Sequence, residues 1–288
     1  MVVVVNLGCG TSPLVVRAST LLEEPFAYVK PQEIGFPMSN DLFESSRPPP
    51  GSGHGHGRST GLMPWREDED FPPEALERMA RACLQSLDAA LHQVQRWRDA
   101  GHGLEDIYLR GIVPSARLLG HWWTCDVSDF AQVTIASANL QRLLHRLSDE
   151  FCAPGGDQPR GLSVLLATEP QSQHTMGAFM LGEFFRRRGW SVQLLTPHDI
   201  DDVLAHLRRD WFDAVGLSVS TGRQLAALGQ LMPRLRAESP NERLCVLVGG
   251  PLALSDPQAL QDLGVDLVGS DARTTVNLLG HLIHDRKN

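Results

Sequence analysis

Three observations place this 288-residue chain in a mixed α + α/β class. From residue 160 onward, five short apolar runs alternate with five amphipathic stretches, the pattern of parallel strands joined by crossover helices. Between 71 and 152 the apolar positions recur at helical spacing. Before residue 71 the chain is irregular and includes a Pro/Gly/Ser/His tract that cannot bury a core. The sequence therefore predicts an irregular N-terminal segment and flexible linker over 1–70, a helical bundle over 71–152, and a doubly wound five-stranded parallel sheet over 160–288.

The linker assignment rests on "RPPPGSGHGHGRSTG", residues 47–61, where His54 and His56 read as part of a solvated loop. Earlier, "LGCGT" at 7–11 follows a run of valines and resembles the glycine-rich turn of S-adenosylmethionine-dependent methyltransferases. Prolines soon break the pattern, and no room remains for the other strands before the linker, which argues against that class. In the bundle, "PPEALERMARACLQSLDAALHQVQRWRDAG" places Leu76, Met79, Ala80, Cys83, Leu87, Ala90, Leu91 and Val94 on one helical face. Pro72 and Pro73 suit its start and Gly101 its end, which predicts one continuous helix. "GLEDIYLRGIVPSARLLGHWW" repeats the spacing around Ile107, Ile112, Ala116 and Leu119, with Pro114 starting or bending a helix. A third helix, "VSDFAQVTIASANLQRLLHRLSDEF", has Ser128 or Asp129 as its cap.

The last part reads as strand and helix in turn: "GLSVLLAT", "HTMGAFMLGEFFRRRG", "WSVQLLT", "DIDDVLAHLRRD", "FDAVGLSVS", "GRQLAALGQLMPRLRAES", "ERLCVLVGG", "DPQALQDLG", "VDLVGS" and "DARTTVNLLGHLIHD". Strands separated by helices imply a parallel sheet covered on both faces. Right-handed crossovers leave few topologies, and a flavodoxin-like (Rossmann-like) order is the simplest.

Composition narrows the function. The net charge of -8 argues against a broad grip on nucleic acid. No apolar run approaches the ~20 residues that would span a bilayer. The start, "MVVVVNLGCG", lacks the basic region of a secretory leader. Cys9, Cys83, Cys125, Cys152 and Cys245 are scattered, without CxxC spacing. They read as reduced thiols, which predicts a cytoplasmic protein.

Ligands of doubly wound sheets bind beyond the carboxyl ends of the strands. Here those positions hold the loop bearing His174, then Ser218, Val219, Ser220 and Thr221, then Gly249, Gly250 and Pro251, then Gly269, Ser270 and Asp271. An imidazole offers a metal ligand or proton carrier. Paired glycines let a bulky group approach the backbone. Taken singly, each feature is an ordinary loop, turn or helix cap; together on one rim they form a site. HExxH, Walker A, GxSxG and GxGxxG motifs are all missing, and the first loop has no acidic cluster of the phosphoryl-receiver kind. The sequence thus predicts a binding protein, not an enzyme.

"SQHTMG" (Ser172, Gln173, His174, Thr175, Met176, Gly177), "SVS" (Ser218 to Ser220) and "GG" (Gly249, Gly250) resemble the three-part signature of cobalamin-binding domains, DxHxxG … SxL … GG. Forty residues separate the first two parts and 28 the last two, close to the family's usual gaps. The helical part resembles the bundle that precedes this domain in methionine-synthase-type and light-sensing cobalamin proteins, down to its Gly120-His-Trp-Trp end. The overall pattern is similar to the AerR/PpaA-type antirepressors of photosystem genes in purple photosynthetic bacteria. The likeness covers residues 72–288 and implies that His174 is the lower axial ligand of cobalt. It implies that Gly177 lets the helix start sit close to the corrin. Ser218, Ser220, Gly249 and Gly250 would line a slot for the displaced nucleotide tail, and Trp122 and Trp123 would cover the upper face.

The chain also departs from the family. The acid two residues before the histidine is Ser172 here, and Ser220 stands where the family has Leu. That acid orients the imidazole; Glu169 would replace it if the loop bends back. The Glu-His pair of adenosylcobalamin photoreceptors corresponds to Val133 and Thr134, which favours hydroxo- or aquocobalamin over adenosylcobalamin. The implied function is a cobalamin-binding, light-responsive antirepressor acting through a partner DNA-binding repressor, touching DNA only indirectly and no membrane. "RRR", Arg186 to Arg188, reads as a solvated helix face. Two alternatives stay open. One is a corrinoid protein shuttling methyl groups for a methyltransferase; the other is a haem sensor with His174 or His121 on iron.

Overall fold

A computed structural model describes residues 2–5, 14–17, 69–153, 161–170, 172 and 175–287. β1 (Val2–Val5) pairs antiparallel with β2 (Leu14–Arg17). The tract at 47–61 and "LGCGT" lie outside the described residues, as do Gln173 and His174.

The bundle opens with α1 (Pro73–Gln85) and α2 (Leu87–Asp99). The expected single helix over this stretch is two helices. Ser86 is extended (φ −168°, ψ 166°) and its hydroxyl accepts from the backbone N–H of Ala89, so it caps α2 at the point where α1 stops. A serine that satisfies an orphan amide locally competes with helix continuation. Gly101 (φ +93°) ends α2, as its position predicted.

α3 (Leu104–Asp106), a π-helical stretch (Ile107–Ile112) and α4 (Val113–Thr124) follow without a break. Pro114, which lacks an amide to donate, falls in the first turn of α4, directly after the widened π turn. Gly111 in that stretch lies against Trp97: an added Cβ would come within 2.8 Å of the indole. α5 (Phe130–Phe151) starts in a capping box of Asp129 and Gln132.

The sheet contains β3 (Ser163–Ala167), β4 (Ser191–Leu195), β5 (Ala214–Ser218), β6 (Cys245–Gly249) and β7 (Leu267–Val268). Its order is β4-β3-β5-β6-β7 and every pairing is parallel. This is the expected doubly wound topology. The crossovers are α6 (Met176–Arg187), α7 (Ile200–Arg209), α8 (Arg223–Glu238), and the short pair α9 (Pro251–Ser255) and α10 (Pro257–Asp262). α11 (Ala272–Lys287) closes the chain. α9 was not expected; Pro251 starts it as a first-turn proline directly after the glycine pair.

Strand residues alternate between two cores. Val164, Leu166, Ala214, Cys245 and Leu247 face α6 and α11 and share one continuous core with the bundle. Leu165, Ala167, Val215, Leu217, Val246 and Val248 face α7 and α8.

The bundle joins the α/β part along α5 and α6. Tyr108 stacks on Phe151 (centroids 4.2 Å apart), and Phe151 meets Phe184 edge-on at 4.9 Å. Beside these rings the Ser148 hydroxyl donates to Glu183 (2.7 Å). The Arg187 guanidinium donates to the Phe151 carbonyl (2.5 Å) and to Glu105 (2.9 Å), and Arg273 also donates to Glu105 (2.8 Å). Burial, with the Glu183 carboxylate close by, pushes the Tyr108 phenol up and the Cys152 thiol up to about 11. Both groups stay protonated at ordinary pH, so neither adds charge to the seam there. Among the described residues no helix is long and apolar enough to cross a membrane.

Phe151 anchors this seam while fully buried. Phe151→Ala is expected to cost about 3–5 kcal/mol in urea unfolding. A loss below about 1 kcal/mol would show that the bundle and sheet do not depend on the shared aromatic contact.

Candidate functional site

The carboxyl ends of β3, β5, β6 and β7 form a rim, and strand alternation decides which way each rim residue points. Leu217 and Val219 pack on the α7/α8 face; by alternation Gly249 and Gly269 continue the α6/α11 side, while Thr168 and Ser218 also border the cavity beside Glu169 on the α7/α8 side. On the first face every rim residue is small.

The glycines of this rim have different reasons to be glycine. Gly250 has φ +102°, and an added Cβ would stand 2.6 Å from the Val219 carbonyl oxygen, so backbone meets backbone there. Gly269 lets Thr275 of α11 approach; a Cβ would lie 2.9 Å from the Thr275 hydroxyl. By contrast, added Cβ atoms on Gly249 and on Gly177, in the first turn of α6, would meet nothing within 4 Å among the described residues. Packing among the described residues does not require glycine at those two positions, which leaves width along the rim.

The second and third rim loops are tied together. Val219 donates its N–H to the Gly249 carbonyl (2.9 Å), and Leu252 donates to the Val219 carbonyl (3.2 Å). The Gln224 side-chain oxygen accepts from the backbone N–H groups of Ser220 (2.8 Å) and Thr221 (2.9 Å). Glu169 on the first loop accepts from the same Ser220 N–H (2.8 Å). The carboxylate that would replace the missing acid if the loop bent back is thus bonded to the second loop. Asp271 accepts from Thr274 N–H (2.9 Å) and caps α11. Thr175 precedes α6, its carbonyl accepting from Phe179 N–H (2.9 Å), while Met176 packs against the shared core. Gln224 escaped the sequence reading; its only signal was a polar side chain two residues into a helix opened by Gly222.

Above the rim stands part of the bundle. His145 meets Phe179 (centroids 4.4 Å), Ser148 meets Glu183, and Phe151 meets Arg187. The residue numbers rise together, so α5 runs parallel to α6 with a near-constant offset. Since α6 begins at Met176, residues 130–141 of α5 extend past it, about 18 Å of helix at about 1.5 Å per residue. Stepping back from His145 by fours and threes, the same stripe carries Gln141, Ala138 and Thr134. Thr134, one of the two positions expected near the upper face, therefore lies on the overhanging stripe, its hydroxyl donating to the Phe130 carbonyl (2.8 Å).

The tip of this overhang is apolar and exposed. Trp123, Val127, Phe130 and Ile135 are between 42% and 63% exposed. The two tryptophans differ: Trp122 is buried in the bundle with the Arg81 guanidinium 5.2 Å above its ring, and Trp123 is the one presented outward. A cavity of about 300 Å³ opens toward α7 and α8, lined by Thr168, Glu169, Leu217, Ser218, Val219 and Leu228. Of the residues expected to form the slot, Ser218 and Val219 of the second motif part line this cavity.

A rim of small residues under an apolar, helical overhang suits a flat, bulky ligand with an extended tail. The residues present fit a corrinoid: open glycines at 177 and 249 give it room, and the overhang can cover its exposed side.

The B12 binding domain family model matches residues 162–279. A 20.5 kDa protein of the bchF-crtJ intergenic region of Rhodobacter capsulatus is 32% identical over 181 residues, 63% of this chain and 94% of that protein. The monomethylamine corrinoid protein of Methanosarcina barkeri shares the fold, with a TM-score of 0.58 at 15% identity, over 71% of this chain and 96% of that one.

The two adjacent glycines give a test of the rim geometry. Gly250→Ala is expected to cost about 1–3 kcal/mol in urea unfolding of the apo-protein, while Gly249→Ala leaves it within about 0.5 kcal/mol. Equal losses at the two positions would contradict the open face assigned to Gly249.

Proposed function

This chain belongs to the B12-binding-domain family, and on that premise we propose that it is a cobalamin-binding, light-responsive regulator. It would act in the cytoplasm through a partner DNA-binding repressor of photosystem genes, without catalysing a reaction. The observation that carries this proposal is the apolar overhang above a rim of small residues, joined to a B12-binding domain in one continuous core. The regulatory part draws on the resemblance to AerR/PpaA-type antirepressors and on a relative in the bchF-crtJ intergenic region.

Cobalamin, when bound, supplies a cobalt centre whose upper ligand is sensitive to light. His174 would hold it from below. Ser218 and Gly249 would border its nucleotide tail. Thr134 and Trp123 would cover it from above, and with Val133 and Thr134 in place of a Glu-His pair the hydroxo or aquo form is favoured. A shift of the overhang has a rigid route outward. The π stretch and α3 lead from α4 to Glu105 and Asp106, which Arg187 and Arg273 hold by ion pairs. The surface around these elements would then present a different face to the repressor.

Purified protein mixed with hydroxocobalamin in dim light is expected to retain the corrin through gel filtration. Its visible bands should change on illumination, and so should its binding to the repressor. His174→Ala should shift those bands and retain less corrin. Absence of retained corrin would contradict the proposal. Methyl transfer from bound methylcobalamin would favour a corrinoid shuttle, and a Soret spectrum of the protein as purified would favour haem.

A further inference from the structure

Glu169 is placed to do something the family signature does not require. Its main-chain carbonyl accepts from Ser172 N–H (3.0 Å), which turns the first loop just before the histidine. Its carboxylate crosses to the second loop and accepts from Ser220 N–H (2.8 Å), a charge-assisted bond to backbone. Strand alternation puts this side chain on the α7/α8 face, where it lines the cavity between β5, α7 and α8. It therefore stands behind the rim, on the side away from Gly249. One side chain thus ties the start of the loop after β3 to the loop that carries the second motif part.

We infer that Glu169 is a positioning residue that latches these two loops so that axial ligation and tail docking happen together. The inference rests on the cobalamin reading of the site. A ligand held at two points gains affinity only when the points are correctly spaced, because the second contact then forms at high effective concentration. Loosening the latch lowers the benefit of the second contact and leaves the first largely intact. The effect is a loss of preference for corrinoids that carry a nucleotide tail. Gln224 keeps Ser220 N–H satisfied when Glu169 is removed, so no buried amide is orphaned.

The test compares full-length wild type, Glu169→Ala and Glu169→Gln, titrated with hydroxocobalamin and with cobinamide, a corrinoid that lacks the nucleotide tail. Glu169→Ala is expected to bind hydroxocobalamin about tenfold more weakly and cobinamide within about twofold of wild type. Glu169→Gln keeps an acceptor oxygen and should return hydroxocobalamin affinity to within about threefold of wild type. If Glu169→Ala does not fold, Glu169→Asp replaces it; shorter by one methylene, it should show the same selective loss. Equal losses for both corrinoids, or a loss for neither, overturn the latch while leaving the cobalamin reading standing. Wild type that binds neither corrinoid overturns the cobalamin reading and the latch with it.

Discussion

The seam between α5 and α6 sets the geometry of everything above the sheet. Tyr108, Phe151 and Phe184 bring rings from the bundle and the α/β part into one core, and Ser148 with Glu183 fixes the axial register beside them. Burying aromatic surface supplies the attraction, and the hydrogen bond to a buried carboxylate supplies the register. Because the helices run parallel and α5 starts earlier, the seam leaves the first half of α5 projecting over the rim. The overhang follows from helix length and register, and needs no loop to hold it.

The rim itself is shaped by the two-residue period of the strands. Small residues on the α6/α11 side leave space, while Leu217 and Val219 on the other side belong to a packed core with α7 and α8. The same alternation separates Glu169 from the open face and sends its carboxylate to Ser220. The backbone of the second and third loops is held by Gly250, which accepts a conformation and a proximity that a side chain would forbid. Rigid loops around an open face are what a large, weakly polar ligand needs, since little ordering is left to do when it arrives.

Much of this was legible in the sequence because strands and helices announce themselves by periodicity. The five runs after residue 160 gave the strands, and crossover handedness left one simple order for them. The spaced parts at 172–177, 218–220 and 249–250 pointed to the same rim. What was illegible depended on contacts distant in sequence or on a single local bond. Nothing in the apolar spacing of α1 and α2 marks Ser86 as a break, since the residues on both sides keep the helical phase. Likewise the two tryptophans look alike in sequence, and only the packing of the bundle core places Trp122 inward while Trp123 faces out. The reach of Glu169 to a loop 51 residues away could not be read from spacing.

In the proposed holo-protein, the imidazole of His174 would hold cobalt in place of the cofactor's own base. The most direct measurement is the electron paramagnetic resonance spectrum of the Co(II) form bound to protein labelled uniformly with nitrogen-15. Ligation by His174 predicts a doublet superhyperfine splitting from the labelled nitrogen, lost in labelled His174→Ala. A triplet that persists with the labelled wild-type protein would show that cobalt keeps an unlabelled nitrogen from its own nucleotide, and would contradict the account.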